Sequence, residues 1–264
     1  MNQPVEVRNK IRLKDFDPGF CGGMDKDKAR EKTTKLCQRI GELQELLYAN
    51  SKHALLLLFQ GMDASGKDGA IKRVLEFVNP FGVEAASFKV PSAEERAHDF
   101  LWRVHAKVPR LGNIGAFNRS HYEDVLIVRV LGLQPPQVWR QRYDQINAFE
   151  RILTLNGIVL LKFFVHISKE EQAERFRARL EDPAKRWKFS VQDLNIRQHW
   201  SAFQKAYEDA VNRCSTDYAP WHIVPANRKW YRDYVIAQIT VKALEKLNMK
   251  WPLPAEDLSK VKII

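Results

Sequence analysis

The chain is poor in cysteine, long apolar runs and repeats, and each of these shortages removes a class of protein. Cys21, Cys37 and Cys214 are the only thiols in 264 residues, odd in number and without metal-type pairing. They read as free thiols in a reducing cytosol, not as a disulfide framework or a zinc site. No apolar stretch approaches the ~20 residues that a membrane helix needs. The opening residues MNQPVEVRNK lack the apolar core of a signal peptide. The expectation is therefore a cytoplasmic protein with no membrane contact. The histidines supply no ligand set; His98 and His105 share a helical spacing and read as packing or surface residues. Acidic residues are also short, 32 against 43 Lys and Arg, for a net charge of +11. Such an excess calls for a polyanion, a membrane surface or an anionic substrate, and composition alone would favour nucleic acid.

What is present changes that weighting. Residues 54–59 are an apolar run of strand length, the pattern of a strand buried on both faces of a parallel sheet. Residues 61–67 then fit G-x-x-x-x-G-K, and Ile71, Val74, Leu75 and Val78 carry helical spacing after it. Strand, glycine-bounded loop with lysine, then helix is the context in which such a match predicts a phosphate loop. Gly61, Ala64, Ser65, Gly66, Lys67, Asp68 and Gly69 are its candidate phosphate contacts. Backbone amides form an anion nest, the helix amino terminus adds partial positive charge, and Lys67 adds a full one. The loop also lacks something. Asp68 stands where a serine or threonine would reach magnesium, and a carboxylate, Asp63, lies inside the loop.

The rest of the chain alternates strands and helices, which predicts an α/β fold with a parallel sheet. Residues 1–26 read as an irregular arm. Over 28–49, Leu36, Ile40, Leu43 and Leu47 form an amphipathic stripe, with a subunit contact and packing on its own sheet both open. Strands are expected at 84–88, 112–117, 158–167 and 221–225, and helices at 92–106, 135–155, 169–180, 202–214 and 229–247. Residues 181–200 form a basic and aromatic loop-helix insertion placed where a lid over phosphates would sit. The domain expectation is a single unit spanning 1–264.

Phosphoryl transfer needs positioning, positive charge and magnesium more than covalent chemistry. Three places supply these. Asp63 and Lys67 are in the loop. Arg119 follows the 112–117 strand and should face the same crevice, because ligands sit beyond the carboxyl ends of parallel strands; a structural ion pair with Glu123 or Asp124 is the competing reading. Lys185, Arg186 and Lys188 crowd the insertion. Arg175 and Arg179, just before it, belong either to the same basic group or to a solvated helix face, and Trp187, Trp200, Trp221 and Trp230 either stack on a base or belong to the core.

The segments GMDASGKDG, FNRSHYEDV, KRWKFS and STDYAPWHIVPAN resemble the polyphosphate kinase 2 family, in a likeness running from about Leu13 to Trp251. The glutamate of HYED, Glu123, is similar to the short class III members, where other classes tend to have asparagine. The resemblance implies a phosphate-loop kinase fold like that of thymidylate kinase, in three α/β/α layers with a helical lid. It implies magnesium-dependent, reversible phosphoryl transfer between inorganic polyphosphate and AMP or ADP, with manganese as an alternative metal and guanine nucleotides as further substrates. By the same likeness Asp63 organises metal and acceptor, and Lys67, Arg119 and Arg129 are phosphate ligands. Lys185, Arg186 and Lys188 line a polyphosphate channel, and Glu123 relates to acceptor breadth. A dimer or tetramer is expected. Two other readings stay open: an ATP-dependent nucleoside monophosphate kinase, and a nucleic-acid-binding module with a vestigial loop.

Overall fold

A computed structural model describes residues 5–254, 256–258 and 261. The strands are β1 (Val5–Glu6), β2 (Ala54–Gln60), β3 (Val83–Ser87), β4 (Ile114–Asn118), β5 (Ile158–His166) and β6 (Trp221–Pro225). The helices are α1 (Lys26–Asn50), α2 (Lys67–Val74), α3 (Ala93–Ala97), α4 (Trp102–His105), α5 (Ile127–Val130), α6 (Pro136–Leu155), α7 (Lys169–Glu181), α8 (Val191–Gln198), α9 (Trp200–Cys214) and α10 (Lys229–Glu245). One six-stranded sheet runs β1-β6-β5-β2-β4-β3. Every pairing is parallel except that of β1 with β6.

β2 reads as an unbroken apolar run because both of its faces are covered. Leu55, Leu57 and Phe59 pack with Ile40, Leu43 and Leu47 of α1 and with α10. Leu56 and Leu58 pack with Ile146 and Phe149 of α6 and with α9. The stripe of α1 is therefore spent on its own chain, which decides between the two readings of that helix. α1 starts at Lys26 because the Asp25 carboxylate accepts the amides of Asp27 and Lys28 at 3.1 and 2.9 Å. No helix among the described residues is long and apolar enough to cross a membrane.

Two expectations are corrected. The arm is not wholly irregular: Val5–Glu6 pairs with Ile223 and His222 as an antiparallel edge strand. The helix expected over 92–106 is broken. Its start has the full capping box, Ser92 Oγ taking the Glu95 amide and Glu95 the Ser92 amide. It stops at Ala97, however, where His98 turns extended. Asp99 then accepts the Leu101 amide through its own side chain at 2.9 Å, a local bond that competes with helix continuation. That break opens the wall of a cavity described below.

Candidate active site

Parallel register brings the carboxyl ends of β2 and β4 side by side. Phe59 pairs with Asn118, and the Arg119 amide donates to the Phe59 carbonyl at 3.0 Å. The loop 61–66 and the turn 119–124 thus leave the sheet together. Gly61 has φ +150°, and a Cβ there would lie 2.6 Å from the Val165 carbonyl oxygen. Gly66 has φ +98°, and its Cβ would fall 2.2 Å from Arg232 Nη1. Gly61 is thus required by close approach to backbone as well as by conformation, and Gly66 by conformation. Ala64 and Arg119 adopt left-handed backbone without being glycine, at φ 61° and 63°. Such backbone persists where the surroundings enforce it.

Asp63 and Arg119 meet directly, Arg119 Nη2 donating to Asp63 Oδ1 at 2.7 Å. Of the two competing partners expected for Arg119, Asp124 is taken by Arg142 at 3.0 Å and by Arg103, whereas Glu123 does act on Arg119. The Glu123 carboxylate, with Asp63 beside it, holds the Arg119 guanidinium well above its ordinary range. Burial raises Glu123 itself, against the pull of Arg119 and Lys67. Lys67 folds back onto the loop, its Nζ donating to the Gly61 and Met62 carbonyls at 2.8 and 3.2 Å. Burial pushes its ammonium down to about 8, although Asp63 opposes the shift. Ser65 is buried with its Oγ lacking a hydrogen-bond partner. Asp68 and Gly69 are exposed on the first turn of α2, and Asp68 accepts from the Asn118 side-chain amide.

Beside these residues opens a cavity of about 380 Å³, lined by Arg119, Glu123, Arg96, His98, Phe100 and Arg103 among others. That volume lies in the range of small-ligand pockets. Its wall is made by the broken α3–α4 segment and the turn after β4.

The remaining expected residues lie apart from this group. Arg129 on α5 donates to Asp209 Oδ2 of α9 at 2.8 Å and lies over the Trp139 ring at 4.7 Å. Its charge is thus matched locally. Lys185 pairs with Asp182, Arg186 donates to the Leu180 carbonyl at 2.7 Å, and Lys188 lies 5.0 Å from the Trp187 ring centre. All three are exposed, and so is Trp187, which is not a core residue.

Sequence reasoning missed the side chains that hold the loop from behind. Gln172 Nε2 donates to the Asp63 carbonyl at 2.8 Å. Arg175, far from being a solvated-face residue, is buried and donates to Ala64 and Ser65 at 2.9 and 2.7 Å. Its other nitrogen donates to Ala226 and Asn227 at 2.5 and 3.2 Å. Arg232 reaches the Gly66 carbonyl at 3.1 Å. A signal existed on α7: positions 172, 175 and 176 share one helical face, and the apolar member, Phe176, marks it as the inward one. Asp193 of α8 was also missed. Burial raises its carboxyl, with Asp63 as the next cause, so the insertion brings a second acid toward the loop.

Comparison with known proteins places these features in context. The family model described as polyphosphate kinase 2 (PPK2) matches residues 23–252. The AMP/ADP-polyphosphate phosphotransferase of Meiothermus ruber is 50% identical over 263 residues, covering 98% of each chain. The ADP-polyphosphate phosphotransferase of Rhodopseudomonas palustris is 46% identical over 227 residues, covering 81% of this chain and 78% of the relative. The crystal structure of polyphosphate kinase 2 from Arthrobacter aurescens TC1 is similar with a TM-score of 0.93 and 40% identity, covering 96% of this chain and 92% of that one. The architecture is a phosphate-loop kinase fold, as the family resemblance implied.

Proposed function

The chain belongs to the polyphosphate kinase 2 family, and on that premise we propose that it transfers phosphoryl groups from inorganic polyphosphate to AMP and ADP at the loop and turn just described. Relatives named for polyphosphate with AMP or ADP support this donor and these acceptors. They leave the ATP-donor kinase and nucleic-acid readings without support of their own. The observation that carries the site assignment is the joining of Asp63, Lys67 and Arg119 at the carboxyl ends of β2 and β4.

In this reading the transferring phosphoryl group lies in the amide nest of the loop. Lys67 exchanges its two carbonyl contacts for phosphate oxygens, which restores full protonation to its buried ammonium. Arg119 and Lys67 neutralise charge that spreads over the equatorial oxygens in the transition state. The 380 Å³ cavity bounded by Arg119 and Glu123 receives the acceptor nucleotide. Its phosphates meet Arg119, and the apolar wall takes the base. The exposed basic group Lys185, Arg186 and Lys188 serves as a lid along the donor chain, and Arg129 as a more distant phosphate contact.

Family membership implies a divalent metal. Among the described residues no three His, Cys, Asp or Glu side chains are grouped to hold a metal alone. That arrangement fits magnesium, which is commonly held by one or two carboxylates together with substrate phosphates. Asp63 is the carboxylate at the nest, and a hard oxygen donor is the right chemistry. Magnesium held by Asp63 would supply positive charge against the phosphates in the nest.

The test mixes protein, magnesium and long-chain polyphosphate with AMP or ADP and measures ADP and ATP. ATP formation from ADP well above a Lys67→Ala control is expected. An ATP yield no higher than that control overturns the reading.

A further inference from the structure

The middle of β5, whose other residues from Ile158 to Val165 are all apolar, carries a lysine. Lys162 is completely buried, and so are Glu150 of α6 and the consecutive residues His121 and Tyr122 of the turn after β4. Lys162 Nζ donates to Glu150 Oε2 at 2.6 Å, to the Tyr122 hydroxyl at 3.0 Å and to the Cys214 carbonyl at 2.6 Å. Each of its three hydrogens therefore has an acceptor. The other Glu150 oxygen accepts the Tyr122 hydroxyl at 2.8 Å and lies 3.2 Å from His121 Nε2. Trp221 and Tyr122 cover the ammonium with their rings.

Stability alone does not call for this cluster. Apolar side chains of similar volume usually replace a buried ion pair with little loss, because desolvation offsets most of the attraction. A satisfied buried network instead restricts which arrangement is allowed. What this one restricts is the turn that bears the site. Arg119 is two residues before His121 and sits at φ 63°, and Glu123 follows Tyr122 directly. On its other side the turn is tied to β2, Gln60 Nε2 donating to Ser120 Oγ at 3.1 Å, and Ser120 Oγ accepts the Tyr122 amide. The turn is thus clamped at Ser120 from β2 and at His121 and Tyr122 from α6 and β5. From that anchored turn Arg119 donates to Asp63 Oδ1 at 2.7 Å.

We propose that Glu150, held by Lys162, is a positioning residue for phosphoryl transfer: its carboxylate anchors Tyr122 and His121 and so aims Arg119 and Glu123 at the phosphate loop. This rests on the function proposed above. Glu150 touches no substrate, and its contribution is the fixed direction of the turn.

Two double variants separate aim from stability. Lys162→Met with Glu150→Gln removes the charges but keeps an acceptor oxygen for Tyr122 and His121. Lys162→Met with Glu150→Leu removes the anchor as well, and the Cys214 carbonyl loses its donor equally in both. The Gln variant is expected to keep kcat within about threefold. The Leu variant is expected to lose at least about tenfold in kcat with little change in KM for ADP, at a Tm close to that of the Gln variant; one positioned electrostatic contact is worth about a hundredfold or more. Equal kcat in the two variants, at either level, overturns the proposal. Tyr122→Phe decides the matter if the Leu variant does not fold, since it removes only the hydroxyl from a ring of the same shape. A several-fold fall in kcat is expected of it, and parental kcat overturns the proposal. A parent protein that makes no ATP defeats the functional reading together with this one. An active parent beside an equally active Leu variant defeats this inference alone.

Discussion

The two basic regions of this molecule carry similar charge and are built in opposite ways. Around the phosphate loop every cation has a fixed address. Arg175 donates to the Ala64 and Ser65 carbonyls, Arg232 to the Gly66 carbonyl, and Lys67 to those of Gly61 and Met62. Arg175 and Arg232 thus hold the loop's carbonyls from behind before any ligand arrives. In the insertion, Lys185, Arg186 and Lys188 make only local contacts and stay exposed. Charge of that kind attracts a polyanion over a distance but fixes no atom. In the proposed function the buried, bonded cations set the chemistry and the exposed ones gather the substrate.

The contrast can be broken most directly at Lys67. Lys67→Ala should reduce kcat by about 10²–10³, the usual cost of one transition-state contact, measured as ATP formed from ADP and polyphosphate. A smaller effect than that of the insertion charges would invert the comparison. Next is Arg175→Met, which leaves up to four carbonyls without their donor. Each buried unsatisfied group costs about 1–3 kcal/mol, so denaturant unfolding should show a loss of at least about 3 kcal/mol, with kcat reduced by about tenfold or more because the nest loses its backing.

The insertion should respond differently. Lys185→Ala, Arg186→Ala and Lys188→Ala combined should raise KM for long polyphosphate several-fold and flatten its salt dependence, with kcat and stability little changed. Exposed pairs contribute only about 0–1 kcal/mol each, and exposed charges are screened within about 10 Å at 0.1 M salt. A fall in kcat matching that of Lys67→Ala would show that the insertion is as fixed as the loop.

The smallest effect is one of pH. Lys67 is lowered by burial from 10.5 to about 8. In the free enzyme its charge is lost as pH rises through about 8, so kcat/KM should fall there. At saturation, phosphates around the ammonium restore its charge, and kcat should stay level to higher pH. Stability moves the other way. Between about 8 and 10.5 the unfolded lysine holds a proton that the folded one has released, so this group's contribution to stability rises with pH. A kcat/KM profile flat to pH 9.5 would remove Lys67 from the charge clamp.

Much of the loop was legible because its signals are local. The apolar run of β2, the glycines at 61 and 66 and the lysine lie within fourteen consecutive residues, and the register that sets Arg119 beside them follows from parallel pairing at the strand ends. Harder to see was anything that depends on what a helix faces. Arg175 and Arg179 sit one turn apart in one charged helix, yet Arg175 is buried behind the loop while Arg179 pairs with Asp193 across to α8. Charge content could not tell them apart, and neither could the helix face they share; what separates them is which neighbour each meets along α7, the loop or α8. The edge strand of the arm was illegible for a related reason, since two residues carry no periodicity and β1 exists only because β6 offers an unpaired edge.

By itself, then, the sequence determined the phosphate loop, the alternation of strands and helices and the excess of positive charge, all of which are written in neighbouring residues. The tertiary structure decided which cations are spent holding the loop and which remain for a substrate. It also decided where a lysine in an apolar strand finds its counter-charge, through Glu150, His121 and Tyr122. The physical reason is that burial converts a side chain's role from attraction to geometry, and burial is set by residues distant in the chain.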